Sequence, residues 1–174
     1  MPEHAHPASA VSQLLRSHPS DGLASAAQRP ARMPLGPVVD RELAACRRSG
    51  TSLVLLCIGI VDLHAVGQRH GDEVEQQLRH AVWSRLKHQL RGTDLAVCVA
   101  DDEFGAILPN AAWPAAAIVD ARVCRALTQP YGIGTLEIAI AVRTGVAVFP
   151  RAGTTGEALV AAAEQARAIK AAMA

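Results

Sequence analysis

The stretch from Ser52 to Val61 reads SLVLLCIGIV, a continuous apolar run with β-branched residues and no charge. A run of this kind fits a central strand, buried on both faces and covered by helices. The rest of the chain supplies the covers. From Val38 to Arg48 the spacing is helical, and Ser49-Gly50 stops it. From Asp72 to Leu90 the residues Val74, Leu78, Val82, Leu86 and Leu90 recur at four-residue steps, and acidic residues open the first turn. Ala111 to Leu127 reads as a helix with Pro114 in its first turn, and Gly156 to Ala172 as an Ala-rich terminal helix. Leu95–Val99 and Phe104–Leu108 read as the two strands of a hairpin. Thr135 to Pro150 reads as one long bulged strand or two short ones. The predicted order, α-β-α-β-β-α-β-α, gives an α/β fold: an open sheet flanked by helices, with a hairpin in its middle.

Half of the 174 residues are apolar, enough for a core, but only 3% are aromatic, so Val, Leu, Ile and Ala must fill it. The formal net charge of +1 leaves no broad electrostatic footprint for nucleic acid or an acidic membrane. Cys46, Cys57, Cys98 and Cys124 form no CxxC pair, and buried free thiols are expected rather than zinc. No metal site is expected from the histidines either. His4 and His6 lie near the N-terminus, and His64, His70, His80 and His88 fall in or near helical surface. His80 and His88 stand eight apart, too far for an i,i+4 ligand pair. No apolar run is long enough to span a bilayer, and no signal peptide is expected at the N-terminus. A soluble, cytoplasmic protein is expected, with no nucleic acid bound and no membrane insertion. Residues 1–35, rich in Ala, Ser, Pro and His, read as a flexible arm whose short apolar patch is Val11, Leu14 and Leu15.

The hairpin tip carries Ala100, Asp101, Asp102, Glu103 and Phe104. With its strands, VCVADDEFGAILP, it resembles the signature hairpin of the GGDEF domain, the bacterial diguanylate cyclase fold. TGVAVFPRAGTTGEALVAAAEQA is similar to that family's late strand, proline-bearing loop and last helix. GDEVEQQL resembles the start of its second helix. The resemblance covers residues 36–174 and implies a GGDEF-type open sheet with a central β-hairpin on a nucleotidyl cyclase or ferredoxin-like core. It also implies chemistry: two GTP molecules, each held by one half of a dimer, become cyclic di-GMP with the help of divalent metal ions.

Several residues depart from that chemistry. The family's first-strand metal-binding Asp falls on Cys57, with Gly59 two residues on, and neither offers a hard oxygen ligand; the next Asp is Asp62. The family's Phe-Lys and Asn-Asp pairs are absent from VDLHAVGQRHGD, which removes the Asn that reads guanine. Asp72 remains at the other guanine-reading position. The two signature glycines are Ala100 and Asp101, and Asp101 puts a carboxylate where phosphate oxygens would lie. Its plain alternative is a solvated hairpin turn. Asp102 and Glu103 are retained. Near the end, AEQARAIK lacks the family's tyrosine and displaces Lys170 by one. No catalytic residue, bound metal or required cofactor is expected.

Arg91 and Asp94 match the family's Arg-x-x-Asp inhibitory site, nine residues before Ala100. The resemblance makes them a site for cyclic di-GMP, with Arg122 as the expected second arginine and Arg125 in reserve. Arginine's planar fork suits phosphate and the guanine edge. The alternative is structural: Arg91 closes a helix, Gly92 is its C′ residue and Asp94 starts a strand. The expected function is an inactive receptor domain that binds cyclic di-GMP and signals to a protein partner or a second copy. The alternatives are a ligand-free interaction or dimerisation module, and a weak cyclase or GTP-binding regulator using Asp72, Asp102 and Glu103.

Overall fold

In the computed structural model, residues 30–173 are described. The proposed arm patch at Val11, Leu14 and Leu15, with His4 and His6, lies outside them. The elements are α1 (Leu35–Ser49), β1 (Leu53–Val61), α2 (Leu63–His70), α3 (Asp72–His88), β2 (Leu95–Cys98), β3 (Glu103–Pro109), α4 (Trp113–Leu127), β4 (Tyr131–Ile133), β5 (Leu136–Ile138), β6 (Ala141–Phe149) and α5 (Gly156–Ala172). Four strands form the main sheet in the order β2-β3-β1-β6, every pair antiparallel.

The apolar run is the sheet's centre, as its composition predicts. β1 pairs with β3 from Leu53↔Pro109 to Gly59↔Glu103 and with β6 from Leu53↔Phe149 to Val61↔Ala141. Its side chains alternate between two cores. Val54, Leu56, Ile58 and Ile60 join Leu78, Val82 and Leu86 of α3 and Val119, Val123 and Leu127 of α4. Leu53, Leu55 and Cys57 join Val39 and Leu43 of α1 and Leu159 and Ala163 of α5. Each full burial of such a side chain is worth about 1.5–3 kcal/mol. No helix of the described residues is long and apolar enough to cross a membrane.

The structure adds elements that the periodicity does not show. α2 occupies Leu63–His70, where only Leu63 and Gly67 are buried. Two buried positions make no stripe, and Gly67 reads as a break. Its missing side chain leaves room for the Glu75 carboxylate, whose Oε2 would stand 2.1 Å from a Cβ there. Tyr131–Ile133 and Leu136–Ile138 form a separate two-stranded hairpin, each strand three residues long. The Thr135–Pro150 segment is therefore two strands in two different sheets, β5 and β6. α1 begins at Leu35, before the expected Val38, and Leu35 is buried. Arg32 and Met33, placed by sequence in the arm, lie against β2: Arg32 bridges Cys98 in parallel and the Met33 N–H donates to the Cys98 carbonyl at 2.9 Å.

Gly145 sets how closely α5 lies on the sheet. A Cβ there would be 1.9 Å from the Ala163 carbonyl oxygen and 2.4 Å from the Arg167 backbone nitrogen. Backbone cannot swing aside as a side chain can, so Gly145→Ala should lower stability by about 1–3 kcal/mol. Gly132 has open space around it, and Gly132→Ala should stay within about 0.5 kcal/mol of wild type. Urea unfolding of both variants checks the pair, and equal midpoints would contradict the packing.

Candidate functional site

Two surfaces carry the residues singled out from the sequence, and β2 with the signature turn connects them. The first is the turn before β2. α3 ends at His88 with Gln89 as its C-cap in ordinary right-handed geometry. The expected helix end at Leu90 or Arg91 is thus too late. Gly92 is not among the positive-φ glycines, so it is no left-handed C′ residue. Asp94 closes the turn instead. Its Oδ2 accepts from the Arg91 backbone N–H at 2.9 Å, and its own N–H donates to the Arg91 carbonyl at 3.0 Å. This reciprocal pair fixes the backbone and leaves the exposed Arg91 guanidinium with no partner among the described residues. Arg122, exposed on α4, donates from Nη2 to the Gln89 carbonyl at 2.6 Å. The structure therefore brings Arg122 to within two residues of Arg91 along the chain. The Arg125 side chain makes no such contact among the described residues.

The second surface is a cleft of about 400 Å³ where β1 ends, lined by Asp62, Asp102, Glu103, Arg143, Glu164 and Arg167 among others. The Ile60 N–H donates to the Asp102 carbonyl at 2.8 Å, which fastens the signature turn to β1. Asp62 and Glu103, far apart in sequence, meet here, but Asp72 does not line the cleft; it opens α3. Arg167 Nη2 donates to Glu103 Oε1 at 2.7 Å. Lys170 lies elsewhere, paired with Asp120 at 2.6 Å. Among the described residues no group of three His, Cys, Asp or Glu is arranged to hold a metal ion. Of the carboxylates in the cleft, Glu103 is held by Arg167, and the position where the resemblance places an oxygen ligand on β1 is Cys57. Arg167 was not singled out in the sequence. Its one signal is a cation three residues after Glu164 in an Ala-rich helix.

Asp101 corrects another expectation, that of a simply solvated turn residue. Its Oδ1 accepts from Arg79 Nη1 and its Oδ2 from Arg32 Nη2, both at 2.5 Å. Arg79 is buried, and Glu75 Oε1 stands 3.6 Å from its Nη2. An arginine cannot shed its charge at this depth and must have acceptors. Asp101 is the nearer of its two carboxylates. Asp101→Ala should therefore cost about 1.5–3 kcal/mol, the range for hydrogen bonds to charged groups, where a solvated turn residue would stay within about 0.5 kcal/mol. Thermal or urea unfolding separates these outcomes.

Cys57 sits where the family resemblance places a metal-binding Asp. It is almost wholly buried, and burial, reinforced by the nearby Glu164 charge, pushes its thiol from 9.0 up to about 12. A neutral thiol beside two carboxylates is a poor partner for a hard cation. The raised value also sets a pH dependence. The thiol ionises near 9.0 in the unfolded chain and about 12 in the folded one, so its contribution is complete below pH 9 and is lost as pH rises above it. Native protein at pH 9 should leave Cys57 unalkylated by a thiolate-selective reagent, and denatured protein should not. Peptide mapping reads both, and rapid native labelling of Cys57 would refute the burial.

A model of the family described as "Diguanylate cyclase, GGDEF domain" matches residues 28–173. An uncharacterized signaling protein from Caulobacter vibrioides is 30% identical over 149 residues, which is 84% of this chain and 18% of that protein. The chain spans about a fifth of the length of the curated relatives it matches. Among solved structures, a sensory box/GGDEF family protein from Caulobacter crescentus has a TM-score of 0.74 at 25% identity, covering 80% of this chain and 91% of that one. The GGDEF domain of DgcB from the same organism, solved in complex with c-di-GMP, has a TM-score of 0.71 at 18% identity, covering 78% and 79%. With its hairpin, cleft and central strand in place, this chain belongs to the diguanylate cyclase GGDEF-domain family.

Proposed function

We propose that this chain is a non-catalytic GGDEF domain that serves as a cyclic di-GMP receptor through Arg91, Asp94 and Arg122, and signals to a protein partner or a second copy. The observation that carries the reading is the state of the Arg91–Asp94 turn. Asp94 holds the backbone, and the Arg91 fork stands unpaired among the described residues. Binding then costs little further ordering of the turn, which is what preorganisation means energetically. The alternative role for this turn, a glycine-capped helix end, loses its support because α3 ends earlier and Gly92 is not left-handed. The DgcB neighbour holds c-di-GMP on the same fold.

The cleft supports the non-catalytic half of the proposal. Catalysis on GTP would need oxygen ligands for hard cations and room for phosphates. Here Glu103 is already paired with a fixed guanidinium, Cys57 is a neutral thiol, and Asp101 is committed to two arginines. No metal or other cofactor is required for the receptor role.

Removing one bidentate arginine contact to a guanine costs about 1–3 kcal/mol in nucleic-acid complexes, equivalent to roughly a five- to hundredfold loss of affinity. Arg91→Ala should lose that much. Asp94→Ala should lose at least as much, because it removes an acceptor and releases the turn. Calorimetric titration with cyclic di-GMP decides: no saturable heat at high micromolar ligand would leave an interaction module as the better reading. Chromatography after incubation with GTP and magnesium or manganese should show no cyclic di-GMP above a Glu103→Ala control.

A further inference from the structure

The four residues of β2 tie the Arg91–Asp94 turn to a second device at the other end of the strand. β2 is an edge strand, and what lies on its open edge is the segment that leads into α1. Arg32 makes a parallel bridge to Cys98, the last residue of β2, and the Met33 N–H donates to the Cys98 carbonyl at 2.9 Å. Three residues on, Asp101 takes Arg32 on one oxygen and Arg79 on the other. Beyond Arg79 the run of polar contacts continues to Glu75 at 3.6 Å, and the exposed His64 imidazole lies 3.7 Å from Glu75. The lead-in segment, the signature turn and α3 are thus joined by one run of charged groups.

We propose that residues Arg32–Pro34 are an output element of this domain, clamped to the end of β2 by Arg32 and Asp101 and tightened when the Arg91–Asp94 turn is occupied; the proposal rests on the receptor reading above. The sign follows from the strand. β2 is short and lies at the sheet edge, where local opening costs least. A ligand that orders the turn immediately before it stiffens β2 at its start. The lead-in segment docks only on an ordered β2, so its docking becomes more favourable. Coupling of this kind needs no change of shape, only shared ordering. It must also be reciprocal: if the ligand tightens the clamp, the clamp strengthens ligand binding by the same factor. The segment is well placed for output, because it precedes α1 and connects the domain to whatever lies before it in the chain.

Hydrogen exchange on the full chain, with and without cyclic di-GMP, tests this alongside calorimetry in the same buffer. In wild type, saturable heat should accompany slower exchange in peptides spanning Arg32 to Leu35, where the Met33 amide reports the clamp directly. Arg32→Ala should abolish that protection and raise the dissociation constant by up to about fivefold, the lower end of ordinary coupling between sites. Arg32→Lys, which keeps the charge, should recover most of both effects. Arg41→Ala, on α1 and paired among the described residues with Glu42 alone, should match wild type. Wild-type heat without a change in lead-in exchange overturns the coupling and leaves the receptor reading standing. Unchanged affinity in Arg32→Ala also overturns it. No heat in wild type removes the receptor reading, and the proposal with it.

Discussion

β1 has no solvent face, and the rest of the molecule is arranged around that fact. Its even-numbered side chains from Val54 to Ile60 enter one core, and Leu53, Leu55 and Cys57 enter the other. A slip of one residue in either neighbouring strand would turn both faces over at once, so the register is specified twice. The pairing places Cys57 opposite Gly105 and Gly145, and Gly59 opposite Glu103 and Arg143. The register of the signature hairpin on β1 is thus specified by burial. α5 lies on Gly145 through the Ala163 carbonyl and the Arg167 backbone, where the approach leaves no room for a Cβ.

The same burial decides what the cleft can do. A carboxylate at residue 57 would need compensation for its charge; a thiol does not, and its neutral form is favoured by the same desolvation that would penalise an anion. Arg167 then faces Glu103 without competition from a second carboxylate on β1. At the other side of the tip, the buried Arg79 is the stronger constraint on Asp101. The Arg32–Asp101 pair is about half exposed on both sides, and a pair of that kind is worth about 0–1 kcal/mol. Arg79 is 7% exposed, so losing its acceptor costs more than losing Arg32 does. Arg79 therefore orients Asp101, and Arg32 reads the orientation. A weak outer contact on a strongly held inner one can open without unfolding the turn, as a docking contact must.

Much of this was legible in the sequence because it rests on local patterning. The β1 run, the four-residue steps of α3, the hairpin and the span of α5 all carry their periodicity in the chain. What the sequence hid is tertiary. α2 has one buried large side chain, Leu63, and the Glu75 carboxylate lies over its Gly67. β4 and β5 are too short for alternation to show. The charge partners were hidden for the same reason. Arg79 follows Leu78 on a helix whose stripe gives no cause to bury a cation, and Asp101 lies 22 positions away. The Arg91–Asp94 spacing was visible, but its alternatives could be told apart only by where α3 ends and by the sign of φ at Gly92.

Opposite fates for two acidic residues in one tip follow from strand geometry. Asp101 and Glu103 are two apart, yet one pairs with α3 and the lead-in segment and the other with α5. Glu103 is the first residue of β3, and its side chain points to the α5 side of the sheet, while that of Phe104 turns to the α3 side and meets Trp83 at a ring separation of 5.7 Å. Asp101 precedes the strand, where the turn is free of the alternation, and can reach the α3 side. The tip thus divides its charges between the two layers that β1 separates. Each layer supplies its own arginine, Arg79 from α3 and Arg167 from α5. The hairpin tip is pinned from both sides, so motion of β2 relative to β3 is confined to the edge. That edge is where Arg32 and Met33 dock, and where the Arg91–Asp94 turn begins.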